Sequence, residues 1–238
     1  MKIAPTWLKG HILNSPVEQI INPFYFRISD FATYSYPTPQ GAVTLTLPTN
    51  VAFTEVAKRE EFYEHALVDA MANSNLENGV FFDVGARYGF SSCAAMLCGA
   101  DEKKIYAFEA SKLNFYILNR NLNGSETINC FVGDGSDKTI SLSDYSRKHD
   151  IDPAAIKIDV EGAERNVLEG LSTILEVSKP TLFIEVHPKM IGIESANDLV
   201  YDLRDQGYGV QMAAHHDGET NWQEYDSPIS EEFLIWCQ

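Results

Sequence analysis

The stretch "FFDVGARYGFSS", residues 81–92, joins an apolar run to an aspartate and then to two glycines four positions apart. The run predicts a buried strand, and the residues from Phe90 onward predict a helix, so the glycines lie in a strand-to-helix turn. In this turn Gly85 allows a tight bend, Gly89 allows close approach of the backbone, and the start of the helix offers free N–H groups to an electronegative ligand. A turn without a ligand would use similar glycines, so this stretch alone leaves ligand binding open.

From Gly79 onward, strand-like apolar runs alternate with amphipathic helical segments, as in "KIYAFEA", "AIKIDVEG" and "TLFIEVHP". This alternation predicts an α/β fold with a mostly parallel sheet and helices on both faces. The last two predicted strands have no helix between them, which predicts an antiparallel last strand. Residues 1–52 are rich in Pro, Tyr, Phe and Thr and predict an irregular or β-ribbon N-terminal extension that could form a lid, followed by one Rossmann-like domain over residues 53–238.

The charge balance argues against a nucleic-acid partner. The chain has 18 Lys and Arg against 34 Asp and Glu, a formal net charge of -16, so it would repel a polyanion at long range. No window approaches the ~18 consecutive apolar residues of a membrane span, and the first residues lack the apolar core of a signal peptide. We therefore expect a cytoplasmic protein without a membrane span. The sequence gives no information on oligomeric state.

The ends of the next two predicted strands favour a nucleoside-containing cofactor. Glu109 follows Gly85 by 24 residues, close to the ~20-residue separation at which an acid receives ribose hydroxyls. Asp134 in "VGDGS" could accept from an adenine amino group, or could simply form an Asp-Gly turn. The G-x-G-x-x-G of pyrophosphate-binding turns is absent, because Arg87 fills the middle position. The pattern therefore favours S-adenosylmethionine over a dinucleotide, with Asp83 and Glu64 available for its amine and sulfonium side.

The segment "IKIDVEGAERNVLEG", residues 156–170, together with "FFDVGARYGFSS", "IYAFEAS" and "LFIEVH", resembles the FkbM family of S-adenosylmethionine-dependent methyltransferases. The likeness covers about residues 60–190. It implies the class I methyltransferase Rossmann-like fold, with a mostly parallel seven-stranded sheet and an antiparallel last strand. It also implies methylation of a hydroxyl on a small molecule, commonly a sugar, glycan or polyketide-like acceptor. The sequence departs from the family motif at two places: Arg87-Tyr88 replaces the usual Asn-Ile after "GA", and Ala110-Ser111 replaces the proline after the ribose-binding acid.

The glycine turn, the strand ends and the resemblance together give a predicted cofactor-binding set. It consists of Glu64, Asp83, Gly85, Ala86, Arg87, Tyr88, Gly89, Glu109, Ala110, Gly133 and Asp134.

Four residues are predicted to carry the chemistry. Asp159 and Glu161, at the end of the fourth strand, are expected to orient the sulfonium side and receive the substrate proton, although Glu161 could instead cap the next helix. Lys157 shares a strand face with Asp159 and could pair with it or with Glu185, or bind substrate. His187 could act as the general base, or could simply be hydrogen-bonded at a strand end.

Three alternatives stay open at this stage. Asp159, Glu185 and His187 could assemble a divalent metal site that lowers the pKa of the hydroxyl, although their spacing does not demand one. An NAD-dependent oxidoreductase would use similar Rossmann geometry, and the missing pyrophosphate glycine counts against it. A non-catalytic cofactor-binding scaffold would keep the fold without turnover.

Overall fold

A computed structural model of the protein describes residues 30–51, 53–57, 63–136, 138–214, 221–225 and 230–238. The strands are β1 Phe31–Thr38, β2 Gly41–Pro48, β3 Val80–Val84, β4 Ile105–Glu109, β5 Glu126–Asn129, β6 Phe131–Val132, β7 Thr139–Ile140, β8 Pro153–Ile158, β9 Thr181–Val186, β10 Val210–Ala214, β11 Gln223–Glu224 and β12 Phe233–Cys237. The α-helices are α1 Phe53–Val56, α2 His65–Ala72, α3 Phe90–Leu97, α4 Lys112–Asn121, α5 Leu142–His149, α6 Glu164–Gly170, α7 Ser172–Val177, α8 Pro188–Ile191 and α9 Ile193–Asp205. None of the helices in these ranges is long and apolar enough to cross a membrane.

The main sheet has the strand order β11-β10-β12-β9-β8-β3-β4-β5. Strands β3, β4, β5, β8 and β9 are parallel, and β12 runs antiparallel to both of its neighbours, β9 and β10. Without β11 this is the expected seven-stranded sheet with an antiparallel last strand. The two-residue strand β11 was not predicted, because both of its residues are exposed and show no apolar alternation.

The order of the chain through the sheet reverses at β3, which pairs with β4 on one side and with β8 on the other. In open α/β sheets this switch point, beyond the carboxyl ends of the strands, is where ligands bind. The ends of β3, β4, β8 and β9 therefore mark the candidate site.

Apolar side chains on both faces hold the central strands in place. Ile156, Ile158, Leu182 and Ile184 of β8 and β9 are fully buried in one core cluster, which also holds apolar residues of α6, α7 and α9. Each such side chain contributes roughly 1.5–3 kcal/mol when it leaves water. The strand ends that carry polar groups are thus fixed by a rigid apolar sheet.

The first two strands form a hairpin that packs on the other face of the sheet. Val43, Leu45 and Leu47 of β2 alternate inward and join the core cluster that contains residues of α2 and α3. The ring of Tyr36 stacks on that of Phe53 at a centroid distance of 4.8 Å. The division of the chain at residue 52 and the role of the extension as a lid stay predictions, and residues 1–29 lie outside the described residues.

Candidate active site

Gly85 forms the turn at the end of β3. Its φ is +81°, and a Cβ built on it would lie 1.7 Å from the carbonyl oxygen of Asp159. The N–H groups of Gly85 and Ala86 both donate to the carbonyl oxygen of Phe108, at 2.9 and 3.0 Å. The turn therefore touches the ends of both neighbouring strands, and only glycine fits at its first position.

The second half of the turn leads into α3. Gly89, at φ +94°, faces Leu118 and Leu122 so closely that a Cβ would lie 3.1–3.2 Å from their side chains. Arg87 also has a left-handed φ of 51°. Its backbone N–H donates to Glu109 Oε2 at 2.8 Å, so the turn holds the carboxylate at the end of β4.

Glu109 is anchored through both carboxylate oxygens. Oε1 accepts from the Ser111 N–H at 2.7 Å and from the Asn114 side-chain amide at 3.5 Å. Burial raises the pKa of Glu109 above its ordinary value, although the N–H groups of Ser111 and Arg87 act in the opposite direction. An ionised carboxylate has about four lone-pair sites, so Glu109 keeps acceptor capacity for a ligand.

Asp83 on β3 has one carboxylate oxygen without a partner. Its side chain is fully buried, and Oδ2 accepts from the hydroxyls of Ser91 and Ser92 at 2.7 and 2.6 Å. Oδ1 has no hydrogen-bond partner within the described residues. A buried polar atom is normally satisfied, so Oδ1 fits a donor that arrives with a ligand or with water.

A pocket opens between the glycine turn and the ends of β8 and β9. Aromatic rings, those of Phe53, Tyr63, Tyr88 and Phe90, form one wall. The Arg87 guanidinium lies 5.2 Å from the centroids of the Phe53 and Tyr88 rings. The charged residues that line the pocket are Glu64, Arg87, Lys157, Asp159 and Glu185.

An ion-pair cluster joins three residues of the pocket lining, Lys157, Asp159 and Glu185, to His187. Lys157 Nζ lies 3.1 Å from Asp159 Oδ2, which is one of the pairings expected from their shared strand face. His187 Nε2 lies 3.3 Å from Glu185 Oε1 and 3.8 Å from Asp159 Oδ1. Two cationic and two anionic groups thus meet where β8 and β9 end.

Burial and the neighbouring charges shift the pKa values of this cluster in different directions. Burial, and then the charge of Glu185, raises the pKa of Glu64 to about 8. Burial also raises the pKa of Glu185. Burial acts against ionisation of Asp159 as well, but the Lys157 ammonium outweighs it and lowers the pKa of Asp159.

His187 shows the largest shift among the bases of the cluster. Burial alone lowers its pKa, but hydrogen bonds to Glu164 and Glu185 and the charges of Glu185 and Asp159 raise it to about 10. These contacts therefore favour the imidazolium form of His187 at neutral pH.

The raised pKa values of Glu64 and His187 make the stability of the protein fall with rising pH. The folded protein keeps a proton on Glu64 up to about pH 8 and on His187 up to about pH 10, against ordinary values of 4.5 and 6.5. The folded state thus binds more protons than the unfolded chain over this range, so the free energy of unfolding decreases as pH rises. Between pH 7 and pH 9 we expect a loss of at least about 1 kcal/mol, since one pKa unit corresponds to about 1.4 kcal/mol.

Denaturant unfolding at pH 6, 7, 8 and 9 measures this loss, and Glu64→Gln removes the part due to Glu64. Glu169→Gln, an exposed position on α6, serves as the control and should follow the wild type. Equal pH slopes for the wild type and Glu64→Gln would contradict the assignment to Glu64.

The structure does not bring every predicted residue to this pocket. Strand β8 ends at Ile158, and Glu161 has a left-handed φ of 48° and an exposed side chain. Glu161 was expected to end this strand and project toward the transferred methyl, but it lies beyond the strand. The N–H of Gly162 instead donates to Glu164 Oε1 at 2.9 Å.

At the third predicted strand end, Asp134 stabilises its own turn and Gly133 packs against α6. Asp134 is exposed, and Oδ1 accepts from the Ser136 N–H and hydroxyl at 2.9 and 2.7 Å. A Cβ on Gly133 would lie 2.0 Å from Asn166 Oδ1, so close packing against α6 accounts for this glycine. The Ala110 carbonyl oxygen accepts from the Asn129 side chain at 3.1 Å.

Sequence reasoning missed Glu164. Its side chain is fully buried, and Oε1 lies 2.6 Å from His187 Nδ1. The residue was present as the last acid of "KIDVEGAE", but its partner is 23 residues away, just after β9, so only the fold reveals the pairing.

Asp159, Glu185 and His187 offer ligand atoms that all lie within 4.8 Å of one another, as a metal site would need. However, Lys157 already pairs with Asp159, and the ring of His187 lies between carboxylates. A divalent ion would add two positive charges beside the Lys157 ammonium, which lies 3.1 Å from Asp159 Oδ2, so the residues present do not fit a metal ion.

The model of the family described as "Methyltransferase FkbM domain" matches residues 136–210. This span contains Lys157, Asp159, Glu164, Glu185 and His187. Over this span the chain is similar to the FkbM methyltransferase domain. The FkbM resemblance noted in the sequence is thus confirmed.

The fold agrees with that of solved structures. The structure is similar to the methyltransferase FkbM of Methylobacillus flagellatus KT, with a TM-score of 0.55 and 17% identity over 74% of this chain and 48% of that chain. It is also similar to a putative hemolysin from Streptococcus thermophilus, with a TM-score of 0.51 and 17% identity over 82% of this chain and 70% of that one. At these identities the likeness shows the fold, and the predicted class I methyltransferase fold is confirmed. The chain spans about half the length of the Methylobacillus protein. No curated protein matches the sequence.

Proposed function

We propose that this FkbM methyltransferase binds S-adenosylmethionine and transfers its methyl group to a hydroxyl of a small molecule, of the sugar, glycan or polyketide-like class. The observation that carries the proposal is the carboxylate cluster at the switch point, where burial, and then the charge of Glu185, raises the pKa of Glu64, and burial, and then the charge of Asp159, raises that of Glu185. Buried acids beside other carboxylates favour the arrival of a cation, which relieves the repulsion between them. A sulfonium with an adjacent ammonium brings that charge.

The remaining contacts fit the other parts of this cofactor. Glu109 retains acceptor capacity for ribose hydroxyls, and the free Oδ1 of Asp83 suits the ammonium group. Gly85 lets the β3 turn lie directly against the carbonyl oxygen of Asp159, which brings the ends of β3 and β8 together beside the pocket. The aromatic wall of Phe53, Tyr63 and Phe90 excludes water from one side of the pocket.

Methyl transfer to a hydroxyl requires alignment and removal of one proton. S-adenosylmethionine supplies a methyl group on a sulfonium, and the electron pair of the breaking C–S bond stays on sulfur. The acceptor oxygen forms the new C–O bond, and its proton goes to a base at the cluster of Asp159, Glu185 and His187. Holding both reactants in line supplies much of the rate enhancement.

Isothermal titration with S-adenosylhomocysteine, with NAD as a second ligand, tests the cofactor. We expect micromolar binding of S-adenosylhomocysteine and none of NAD. A library of hydroxylated sugars and polyketide-like molecules, screened with S-adenosylmethionine in the presence of either magnesium or EDTA, then tests the reaction. Binding without methylation of any acceptor would favour the scaffold alternative, and NAD binding would favour the oxidoreductase.

Glu109→Gln is expected to weaken S-adenosylhomocysteine binding by about 10- to 100-fold. The substitution removes the charged acceptor, and a hydrogen bond to a charged group contributes about 1.5–3 kcal/mol. Titration calorimetry measures the change, with Glu126→Gln on the exposed edge strand β5 as the matched control.

The side chain of Glu109 also accepts a hydrogen bond from the glycine turn, so Glu109→Gln changes the turn as well as the ribose contact. Removing single ribose hydroxyls from the ligand separates the loss of the ribose contact from the change in the turn. The 2′-deoxy and 3′-deoxy analogues of S-adenosylhomocysteine should lose affinity for the wild type but little further affinity for Glu109→Gln. Additive losses in this cycle would remove Glu109 from the ribose contact.

A further inference from the structure

Glu164 and His187 form a buried pair behind the site. Glu164 opens α6, its side chain has no exposed surface, and His187 is 6% exposed. Glu164 Oε1 lies 2.6 Å from His187 Nδ1. The proposed function gives this contact no role, so it needs its own explanation.

The hydrogen bonds around Glu164 locate the proton between the two side chains. Oε1 already accepts the N–H of Gly162 at 2.9 Å, so this oxygen acts as an acceptor. A contact of 2.6 Å requires one hydrogen between the two atoms, and with Glu164 as an acceptor carboxylate that hydrogen belongs to Nδ1. Nε2 is therefore the ring nitrogen that exchanges a proton with a ligand.

The orientation of the ring follows from the same contact. With Nδ1 held by Glu164, Nε2 points to Glu185 Oε1 at 3.3 Å and to Asp159 Oδ1 at 3.8 Å. We propose that Glu164 is the positioning residue that keeps His187 in the Nδ1-protonated form and turns Nε2 toward Asp159 and Glu185, where the proton of the acceptor hydroxyl is received. This inference rests on the proposed function, because it assigns the base of that reaction.

The charged groups around His187 determine how its proton is released. Glu164 of α6, Glu185 of β9 and Asp159 after β8 face the ring, and Lys157 lies beyond Asp159. The three acids favour the imidazolium, so Nε2 must lose its proton before it can act as a base. The value of kcat/KM for the acceptor should therefore rise with pH well above neutrality. Loss of the Glu164 charge should move this rise to lower pH and also lower the maximal rate.

NMR of protein labelled with ¹⁵N-histidine tests the position of the proton without cofactor or turnover. The chain has six histidines, and His187→Gln identifies the signals of His187. We expect wild-type His187 to titrate above pH 8 and to keep the proton on Nδ1 when neutral. In Glu164→Gln the pKa should fall by at least about one unit, while Glu169→Gln, exposed on the same helix, leaves it unchanged.

Kinetics and ligand binding complete the test. The acid limb of the kcat/KM profile should shift to lower pH in Glu164→Gln, and Glu164→Asp, which keeps a charge, should shift it less. Affinity for S-adenosylhomocysteine should stay within about threefold of wild type in both variants.

The outcomes distinguish this inference from the proposed function. A wild-type His187 that is protonated on Nε2 when neutral, or that titrates near pH 6.5, overturns the inference even if Glu164→Gln does not fold. An unchanged His187 pKa and pH profile in folded Glu164→Gln overturns it as well. If the wild type binds no S-adenosylhomocysteine, the proposed function fails, and the NMR result still decides which nitrogen Glu164 holds.

Discussion

Gly85→Ala is expected to lower the free energy of unfolding by about 3 kcal/mol or more and to abolish cofactor binding. A left-handed φ costs a non-glycine residue roughly 1–2 kcal/mol, and the new Cβ would lie 1.7 Å from the carbonyl oxygen of Asp159. The colliding atom belongs to the backbone, so no rotamer change relieves the contact. The chain must separate where the Asp159 N–H donates to the Val84 carbonyl oxygen at 2.9 Å.

Gly192→Ala is the matched control, because Gly192 has a φ of +89° and its Cβ would meet nothing within 4 Å. This variant carries the cost of the backbone conformation without the collision. For a chain of this size each kcal/mol shifts Tm by about 2–4 °C, so we expect a decrease of about 6–12 °C for Gly85→Ala and less than half of that for Gly192→Ala. Thermal unfolding and titration with S-adenosylhomocysteine measure both effects. Equal Tm values for the two variants would contradict the close approach of the β3 turn to the end of β8.

The order of the elements could be predicted from the sequence because the central strands are buried on both faces. Runs such as "VFFDV" and "TLFIEV" are almost wholly apolar and end in a polar residue or glycine, which marks the carboxyl edge of a parallel sheet. The antiparallel β12 followed from the absence of a helix after β10. The edge strand β11 could not be predicted in this way, because its two exposed residues are held by backbone pairing with β10 alone.

The site could be predicted only as far as strand alternation extends. A period of two residues placed Lys157 with Asp159, and Glu185 with His187, on shared faces, and the structure brings these four side chains together. Glu161 lies beyond the end of β8, where the left-handed turn cancels that alternation. The contact between Glu164 and His187 depends on how α6 packs against the end of β9, which local spacing does not encode.

Asp159→Asn is expected to lower kcat by about 100-fold or more while the affinity for S-adenosylhomocysteine changes by less than about threefold. General acid–base groups contribute about 10²–10⁴-fold to the rate, and Asp159 is the ionised acid that faces the ring of His187, the proposed base, and pairs with Lys157. Single-turnover kinetics with an acceptor found in the screen measure the chemical step, and calorimetry measures binding. Asp205→Asn, exposed at the end of α9, is the control and should show wild-type turnover.

The double variant Lys157→Met with Asp159→Asn separates the catalytic role of Asp159 from a structural one. Removing one partner of a buried ion pair destabilises a protein by about 3–5 kcal/mol, whereas replacing both partners can be nearly neutral. The charges of Asp83 and Glu185 also act on Lys157. The ammonium therefore keeps part of its compensation in Asp159→Asn, and we expect the loss of stability in this single variant to be about 3 kcal/mol or less. The double variant should recover most of this stability and remain slow. Wild-type turnover in Asp159→Asn, or turnover that returns together with stability in the double variant, would show that Asp159 only neutralises a buried ammonium.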